Sequence, residues 1–446
     1  MDRIDYDTVI LGAGVAGLMA GRLLAEAGRP IAVLEARNRV GGRVFTEHIA
    51  IPGGIEEIAV ELGAEFIHGL PRETWALVHE AALQTYELEG ARLRYSQGRL
   101  RPLNEQLEGG IGVLEKMTQW VRTQSPGQDM TFAEYLQRIS VDECARQRAI
   151  EYVEGFNAAD STLIGVAALA RQQQAEDEIE ADRLFRVRHG YDAIPHFLKA
   201  GIERAGGTVL LERRVQKISW QPGAVSMYGV NGEGQEFHVR AHRGVITLPL
   251  GVLQAGTVEF SPVPANVMAN ARRLAMGPVV RVTLVFSERF WTALDMEHLS
   301  FLFTQNELPP TWWTAMPDRA PTITGWVGGS KVAALEKKIT ANGPEALLDQ
   351  CLGTLAKLFN VSTDYLQTRL VSWHTHDWQA DAEAKGAYSY APAGALDASL
   401  KMTEPVQHTL YFAGEHTDTS GHWGTVHGAL RSGIRAAAQL LGSGVR

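Results

Sequence analysis

Cysteine is scarce in this chain of 446 residues, which contains only Cys144 and Cys351, far apart in the sequence. That scarcity argues against a disulfide framework and a cysteine-rich metal site, and it fits a reducing cytoplasm. The N-terminus enters a strand pattern without a basic, apolar leader, and no apolar run approaches about 18 residues. A net charge of −9 without clustered Lys and Arg argues against nucleic acid. We therefore expect a cytoplasmic protein without a membrane or nucleic-acid partner.

Two local clusters of polar residues carry little functional signal. His374 and His376 are the tightest pair among 14 histidines, but they lack further ligands at a recognisable spacing, so no metal site is predicted. The acidic run AEDEIEAD, residues 175–182, is the most biased stretch. Such a run is typical of a solvated helix face, which is the structure that we predict for it.

The chain reads as one domain that is interrupted twice by another. An apolar content of 45% over this length suffices for two domains or one large discontinuous domain. Residues 1–70, 189–259 and 374–446 carry strand and helix patterns of a Rossmann-like α/β nucleotide-binding domain. Residues 71–188 are polar and helix-prone, whereas residues 260–373 are rich in strand-forming residues. These two insertions are predicted to form a mixed α+β, substrate-binding domain.

A glycine-rich turn follows the first predicted strand. Gly12, Gly14 and Gly17 form G-x-G-x-x-G between the strand DTVIL and a helix predicted over residues 15–27. The first glycine permits a tight turn, the second allows a pyrophosphate to approach, and the third packs helix on strand. Glu35 lies 18 residues after Gly17, where its carboxylate can accept hydrogen bonds from both ribose hydroxyls. The motif predicts a dinucleotide, and alone it does not choose between FAD and NAD.

The residues after Glu35 favour FAD. The run EARNRVGGRVFT places Arg37 and Arg43 around a Gly-Gly pair, where a pyrophosphate would continue toward a second nucleotide half. The pattern LEAR-x-x-x-GGR resembles the signature of the flavin amine oxidase family, which includes monoamine oxidases, polyamine oxidases and lysine-specific histone demethylases. Further segments match in the same order, so the resemblance covers nearly the whole chain, and its pattern is closest to that of polyamine oxidases.

The resemblance implies a Rossmann-like FAD-binding domain of the GR2 type, interrupted by a mixed α+β substrate-binding domain. ELGAEFIHG resembles the segment beside the flavin ring, RRVQKI the adenine contact, and VITLPLGVL a strand under the cofactor. In YFAGEHT, Glu415 would accept from the ribityl hydroxyls, and the next helix would point its N–H groups at the flavin edge. The cofactor-binding residues implied are Gly12, Gly14, Val15, Ala16, Gly17, Glu35, Ala36, Arg37, Gly42, Arg43, Leu62, Gly63, Ala64, Glu65, Phe66, Val215, Gly414, Glu415, Gly424, Thr425 and Val426.

The segment of residues 373–394 resembles the one that carries the first wall of an aromatic cage. Tyr388 and Tyr390 stand two apart on a predicted strand, so both could line the pocket, and the resemblance favours Tyr388. Monoamine oxidases have a flavin-binding cysteine just before this tyrosine, whereas this chain has Ala387, which implies noncovalent FAD. The opposite wall of the cage is a second tyrosine in monoamine oxidases. The resemblance implies that Thr425 occupies that position here, as a threonine does in histone demethylases.

Several aromatic residues and one histidine complete the predicted substrate face. Trp378, His422 and Trp423 either extend the surface for a substrate cation or belong to the core. His68 resembles a substrate-facing residue of several polyamine oxidases, where an imidazole can bind or deprotonate an ammonium group. A structural role for this histidine is equally open.

One position departs from the family pattern. Most members carry a lysine that holds a water against the reactive flavin nitrogen, whereas MGPVVRVTLVF places Arg281 there. A guanidinium stays protonated and cannot share in proton transfer, although it can orient a water or stabilise reduced, anionic flavin. Reactivity with oxygen is therefore the family property that this sequence supports least.

The resemblance implies an FAD-dependent amine oxidase that acts on a primary or secondary amine, such as a monoamine or polyamine. Hydride would pass from the carbon next to nitrogen to the flavin, and O₂ would be reduced to hydrogen peroxide. Two alternatives remain: an FAD-dependent dehydrogenase or desaturase with another acceptor, and a flavin-binding protein without catalysis. The predicted catalytic residues are His68, Arg281, Tyr388 and Thr425.

Overall fold

The computed structural model describes residues 5–50, 57–103, 110–124 and 127–442. Its strands are β1 (Tyr6–Leu11), β2 (Ile31–Leu34), β3 (Thr46–Ala50), β4 (Glu57–Glu61), β5 (Ile67–His68), β6 (Thr85–Glu87), β7 (Ala91–Ser96), β8 (Arg99–Pro102), β9 (Leu184–Val187), β10 (Thr208–Leu210), β11 (Arg213–Gln221), β12 (Ala224–Asn231), β13 (Glu236–Ile246), β14 (Glu259–Ser261), β15 (Ala275–Gly277), β16 (Val279–Phe286), β17 (Leu299–Phe303), β18 (Thr311–Thr314), β19 (Thr322–Gly328), β20 (Leu370–Thr375), β21 (Tyr388–Tyr390) and β22 (Leu410–Phe412).

The α-helices are α1 (Val15–Glu26), α2 (Arg72–Glu80), α3 (Gly110–Arg122), α4 (Phe132–Arg138), α5 (Glu143–Asn157), α6 (Val166–Glu178), α7 (Ala193–Arg204), α8 (Leu250–Ala255), α9 (Ala265–Ala271), α10 (Val332–Asn342), α11 (Glu345–Phe359), α12 (Thr363–Gln367), α13 (Ala398–Lys401) and α14 (Val426–Leu441). Short 3₁₀ turns cover Phe290–Leu294, Gly329–Lys331 and Glu415–Thr417. None of the helices in the described ranges is long and apolar enough to cross a membrane.

The largest sheet joins distant parts of the chain in the order β10-β2-β1-β13-β12-β11-β14, with β22 beside β13. Strands β10, β2, β1, β13 and β22 run parallel, whereas β13, β12 and β11 are antiparallel neighbours. The first half of β13 pairs with β12 and the second half with β22, so one long strand serves both arrangements. The last four residues of β1 and all of β2 are buried, as expected for strands covered on both faces.

Helices α1 and α14 pack directly on each other beside this sheet. A side-chain carbon at Gly433 of α14 would lie 2.3 Å from the carbonyl oxygen of Ala16 in α1. The two backbones therefore come as close as a residue without a side chain permits. This contact places the N-terminal helix and the C-terminal helix, which are far apart in sequence, against one another.

The predicted strand VITLPLGVL is wrong in its second half. Strand β13 ends at Ile246, and residues 250–255 form α8 instead. The amide of Thr247 still donates to Leu11 of β1, but Pro249 has no amide hydrogen and cannot continue the ladder. A proline is well suited to the start of a helix, where its missing donor leaves no gap in the hydrogen bonding.

A second sheet has the order β20-β16-β19-β18-β17-β7-β8. Strands β7 and β8 come from within residues 71–188, so both predicted insertions supply strands to it. The predicted boundary between residues 373 and 374 falls inside β20, and the division into domains stays a prediction. All eight residues of β16, which lies between β20 and β19, are buried. Helices α10 and α11 cover the face that carries Val280, Val282, Leu284 and Phe286.

The contact between α1 and α14 predicts opposite effects of alanine at two helical glycines. Gly433→Ala should lower the free energy of unfolding by about 1–3 kcal/mol, because the methyl group has no space. Gly353→Ala in α11 is the matched control, since nothing lies within 4 Å of its added carbon. It should stabilise the protein by about 0.5–1 kcal/mol through helix propensity. Urea unfolding of both variants measures this, and equal effects would contradict the close packing.

Candidate active site

A cavity of about 1070 Å³ runs through the protein from the first glycine turn to the start of α14. All residues predicted above to bind the cofactor or to act in catalysis line it, except Gly17. Gly17 instead packs against the turn, where a side-chain carbon would lie 2.0 Å from the carbonyl oxygen of Gly12. The cavity therefore brings together residues from both ends of the sequence, while the roles of individual residues stay predictions.

The N-terminus of α1 opens into one end of the cavity. Gly14 is the N-cap of this helix and supplies no capping side chain, so the first-turn N–H groups keep their hydrogen-bonding capacity. No described atom lies within 4 Å of the position that a side-chain carbon of Gly14 would take. Exposed amides and the positive end of the helix dipole form a cradle that suits a pyrophosphate.

The carboxylate of Glu35 is held rigidly beside this turn. Its two oxygens accept hydrogen bonds from the amides of Ala13, at 2.8 Å, and Arg37, at 2.9 Å. The guanidinium of Arg37, predicted to face a pyrophosphate, is bound at 2.6 Å by Asp381. Asp381 was missed in the sequence, since no local pattern connects positions 344 residues apart.

Asp381 connects Arg37 to the packed side chains of His376 and Trp378. Its other oxygen lies 2.7 Å from Nε2 of His376, whose ring packs on Trp378. Burial acts to raise the pKa of Asp381, but the bonds to His376 and Arg37 outweigh it and hold the pKa at about 2. Trp378 in turn donates to the carbonyl of Leu62 at 2.8 Å. Residues 376–381 therefore link the two ends of the cavity wall.

The other end of the cavity is organised by Glu415. One oxygen accepts from Arg43 at 2.9 Å, and the other accepts from Ser389 at 2.6 Å and the amide of Gly424 at 2.9 Å. Arg43 also donates to the carbonyl of Ala387 at 2.8 Å. Burial acts to raise the pKa of Glu415, but Arg43 and the other partners hold it below its ordinary value. Both predicted motifs thus meet in a single ion pair between half-buried Arg43 and buried Glu415.

Helix α14 begins at this ion pair. Thr425 is its N-cap. The hydroxyl accepts a hydrogen bond from the amide of Gly428 at 3.0 Å and donates one to the backbone carbonyl of His422 at 2.7 Å. Thr425, predicted as a cage wall, therefore lines the cavity while its hydroxyl serves the helix start. Capping of this kind fixes the first turn of a helix.

Arg281 projects from β16 to the segment of residues 62–66. Its Nη1 donates to the carbonyl of Gly63 at 2.9 Å, and its Nη2 binds the carboxylate of Glu65. Arg186 binds the same carboxylate, and Trp313 donates to it at 3.0 Å. Burial lowers the pKa of Arg281 to about 10, so the guanidinium remains charged at neutral pH. Arg186 and Trp313 were missed in the sequence, because no motif marks residues that meet only through tertiary packing.

Both tyrosines of β21 line the cavity. The hydroxyl of Tyr388 donates to the carbonyl of Phe156 at 2.6 Å, and its ring packs beside Gly424. Tyr390 also belongs to the apolar core around helices α3 to α6. Burial raises the pKa of both hydroxyls, so both tyrosines are neutral walls. The other predicted aromatic residues are Trp378, His422 and Trp423, which also line the cavity.

His68 faces the cavity between two aromatic rings. Its ring centroid lies 6.2 Å from that of Phe66 and 5.8 Å from that of Phe156, both edge to face. Burial lowers the pKa of His68 to about 4, so its imidazole is neutral near pH 7. A neutral imidazole in such a place can accept a hydrogen bond from a ligand, but its lowered pKa makes it a weak base.

Four acids of the run at residues 175–182 line the same cavity: Glu176, Asp177, Glu180 and Asp182. The predicted solvated helix face is wrong for Glu176, because α6 turns this residue inward. Burial raises the pKa of Glu176 to about 7, and its carboxylate accepts from Gln172 at 2.7 Å. Asp177 is exposed on α6, as predicted for a solvated helix face, whereas Glu180 and Asp182 are exposed in the turn that follows the helix.

Thiols and metal-ligand clusters do not contribute to the described part of the site. Cys144 is exposed, Cys351 is buried in α11, and neither lines the cavity. Within the described ranges, no group of three or more His, Cys, Asp or Glu side chains could hold a metal ion. The position of Ala387 in the wall offers no atom for a covalent bond to a flavin, so a cofactor there is held by noncovalent contacts.

Comparisons with known proteins agree with this geometry. Residues 15–441 match the model of the family "Flavin containing amine oxidoreductase". The lysine-specific histone demethylase 1 homolog 2 of Oryza sativa subsp. japonica is 27% identical over 98% of this chain and 57% of its own length. This chain thus spans about half the length of the demethylases that it matches. Putrescine oxidase of Kocuria rosea is 26% identical, over 99% of this chain and 96% of that enzyme.

Solved structures show the same fold. Putrescine oxidase bound to putrescine superposes with a TM-score of 0.81 at 21% identity, over 98% of this chain and 99% of that chain. Cyclohexylamine oxidase from Brevibacterium oxydans superposes with a TM-score of 0.80 at 21% identity, covering 98% of each chain. The predicted fold class is confirmed, as are the resemblance and the FAD cofactor. The chain belongs to the family of flavin-containing amine oxidoreductases.

Proposed function

We propose that the protein oxidises a small primary or secondary amine, a monoamine or a polyamine, and passes the electrons to O₂ with release of hydrogen peroxide. The observation that carries the proposal is the continuous cavity, which joins the pyrophosphate cradle at Gly14 to a chamber with aromatic walls and acids. Bound FAD supplies the acceptor for hydride from the carbon next to nitrogen. The protein orients that C–H bond and excludes water.

The cofactor residues are proposed to act in two groups. Glu35, Val215 and the N-terminus of α1 hold the adenosine and pyrophosphate half, since they line the cavity that the uncapped helix end opens into. Residues 62–66, Glu415 and the start of α14 hold the flavin half. In this arrangement residues 1–70, 189–259 and 374–446 form the FAD-binding domain, and the remaining segments form the substrate-binding domain.

The substrate residues are proposed to bind the amine in its uncharged form, because only an uncharged amine gives up hydride readily. Burial lowers the pKa of His68 to about 4, so its neutral imidazole forms a hydrogen bond with the amine and is too weak a base to take a proton from an ammonium group. Tyr388 and Thr425 are the walls between which the amine lies. Arg281 holds the segment of residues 62–66 through Gly63 and takes no part in proton transfer, because its guanidinium keeps its protons.

The acids of residues 176–182, at the end of α6 and just after it, favour a substrate with a second positive charge. Glu176 is partly buried at the cavity wall, and Asp177, Glu180 and Asp182 lie nearby at its exposed edge. Together they give this part of the wall a negative potential that attracts ammonium groups. We infer a diamine or polyamine as a good substrate, in a cytoplasmic protein without nucleic-acid or membrane partners.

A second candidate function differs only in the electron acceptor. Arg281 stands where most family members have a lysine, and its side chain is bound by Gly63 and Glu65. A dehydrogenase or desaturase that reduces another acceptor would use the same cavity and the same amine. The distinction therefore requires a direct measurement of the acceptor.

A panel of amines tests the proposed reaction. Mono-, di- and polyamines and a methylated lysine peptide are each mixed anaerobically with the yellow protein, and the loss of visible absorbance is recorded. Diamines or polyamines should bleach the cofactor, and air should restore the colour with one hydrogen peroxide for each amine oxidised. Dye reduction without peroxide would support the dehydrogenase, and an absence of bleaching by every amine would contradict an active oxidase.

Glu176→Gln tests the negative wall. The variant should raise KM for a diamine roughly tenfold relative to a monoamine, because a charged hydrogen-bond acceptor is lost. In the parent protein, the diamine preference should increase as pH rises through about 7, where Glu176 becomes ionised. Glu176→Gln should lose this pH dependence, because glutamine does not ionise and the dependence arises from the raised pKa of Glu176.

The matched control is Glu178→Gln, an exposed residue of the same helix that does not line the cavity. It removes an equal charge two residues away and should leave both KM values nearly unchanged. Equal changes in the two variants would indicate a long-range charge effect and would count against a specific contact with Glu176.

A further inference from the structure

Arg281, Glu65 and Arg186 form a buried charged unit beside the cavity. Arg281 is 4% exposed and Glu65 is 6% exposed, and the two arginines bind the one carboxylate. Trp313 donates to both oxygens of Glu65, at 3.1 and 3.0 Å. We refer to Arg281, Glu65 and Arg186 as the Arg–Glu–Arg unit. Every oxygen of its carboxylate is bonded, so the geometry of the unit is fixed.

The unit carries more positive than negative charge. Two guanidinium groups and one carboxylate leave one positive charge, and burial keeps it poorly screened by solvent. The negative charge of Glu61 acts to raise the pKa of both arginines, and that of Asp318 acts to raise the pKa of Arg186. The carboxylate of Glu61 is bound by Thr46 and by the amide of Tyr191. Burial raises the pKa of Glu61 to about 7, so it offsets the charge only in part near neutral pH.

The unit also has unused hydrogen-bonding capacity. The Nε atoms of Arg281 and Arg186 are buried and have no hydrogen-bond partner among the described residues. Buried donors in native proteins are normally paired, so an unpaired one beside a cavity points to a ligand or a water. Arg281 and Glu65 line the cavity at residues 62–66, the segment proposed to contact the flavin.

Arg281 cannot move away from this position as a lysine could. Strand β16 fixes its backbone, Gly63 holds one nitrogen, and Glu65 holds another. A lysine has a flexible stem and can lose its proton when buried, whereas arginine remains charged. The side chain is therefore a permanent positive charge at a set place in the cavity wall.

We propose that Glu65 and Arg186 are positioning residues that fix Arg281, and that the net positive charge of the Arg–Glu–Arg unit stabilises reduced FAD, which is negatively charged, over oxidised FAD. The inference rests on FAD binding, a property of the family, and is independent of the amine and of O₂. A merely structural unit would affect folding and FAD retention without regard to the sign of its charge.

The test changes the charge of the unit in both directions. Arg186→Gln removes one positive charge, Arg281→Met removes another, and Glu65→Gln removes the negative charge. Lys217→Gln is the control, since it removes an exposed cation whose partner is Glu259 on the surface. Each FAD-loaded protein is compared at several pH values on both sides of 7, because Arg281 lowers the pKa of Glu61 and its replacement changes the ionisation of that carboxylate.

Two readouts report the charge effect without any amine. The first is the two-electron reduction potential of the bound FAD. The second is the dissociation constant of sulfite, which donates an electron pair to the oxidised ring and forms a covalent, anionic adduct without a further oxidant. Arg186→Gln and Arg281→Met should weaken sulfite binding about tenfold and lower the potential correspondingly, by about 30 mV for two electrons.

Glu65→Gln should shift both readouts in the opposite direction, and Lys217→Gln should shift neither. If Glu65→Gln does not fold, Arg281→Lys replaces it and should retain most of the sulfite affinity that Arg281→Met loses. The proposal is overturned if Arg186→Gln and Arg281→Met behave like the control, or if variants of opposite charge shift the potential in the same direction. Such a failure would leave the amine oxidase reaction untouched.

Discussion

The ion pair between Arg43 and Glu415 is the contact on which the site depends. It joins residues 372 positions apart, and Ser389 and Gly424 bond to the same carboxylate. The buried charge of Glu415 would be costly without a partner, so the pair stabilises the docked arrangement of the N-terminal and C-terminal motifs. Their docking leaves a continuous cavity that extends from the glycine turn to α14.

Local motifs made half of this site predictable. The turn at Gly12 to Gly17 and the position of Glu35 depend on backbone conformations that neighbouring residues dictate. Asp381, Arg186 and Trp313 could not be inferred, because each acts through a partner that only tertiary packing brings near. Similarly, the acidic run gave no sign that α6 would turn one carboxylate inward.

The fold was also predictable where local sequence patterns determine it and not where tertiary contacts do. Strands in which apolar and β-branched residues predominate, such as β1, β2 and β16, were evident, since burial on both faces favours such residues. The end of β13 was missed, because apolar residues continue past Ile246 while the chain turns into α8 after Pro249. The joining of β7 and β8 to the second sheet was not predicted either, as register between distant strands leaves little trace in sequence.

The most direct test of a cofactor held at two ends compares the binding of FAD with that of ADP. ADP can occupy only the end at the glycine turn, because it lacks the flavin half. Apoprotein carrying Glu415→Gln or Glu35→Gln is titrated with each ligand. The account predicts that Glu415→Gln weakens FAD binding about tenfold and leaves ADP binding unchanged, whereas Glu35→Gln weakens both. Equal losses of ADP affinity in the two variants, or unchanged FAD affinity in Glu415→Gln, would contradict it.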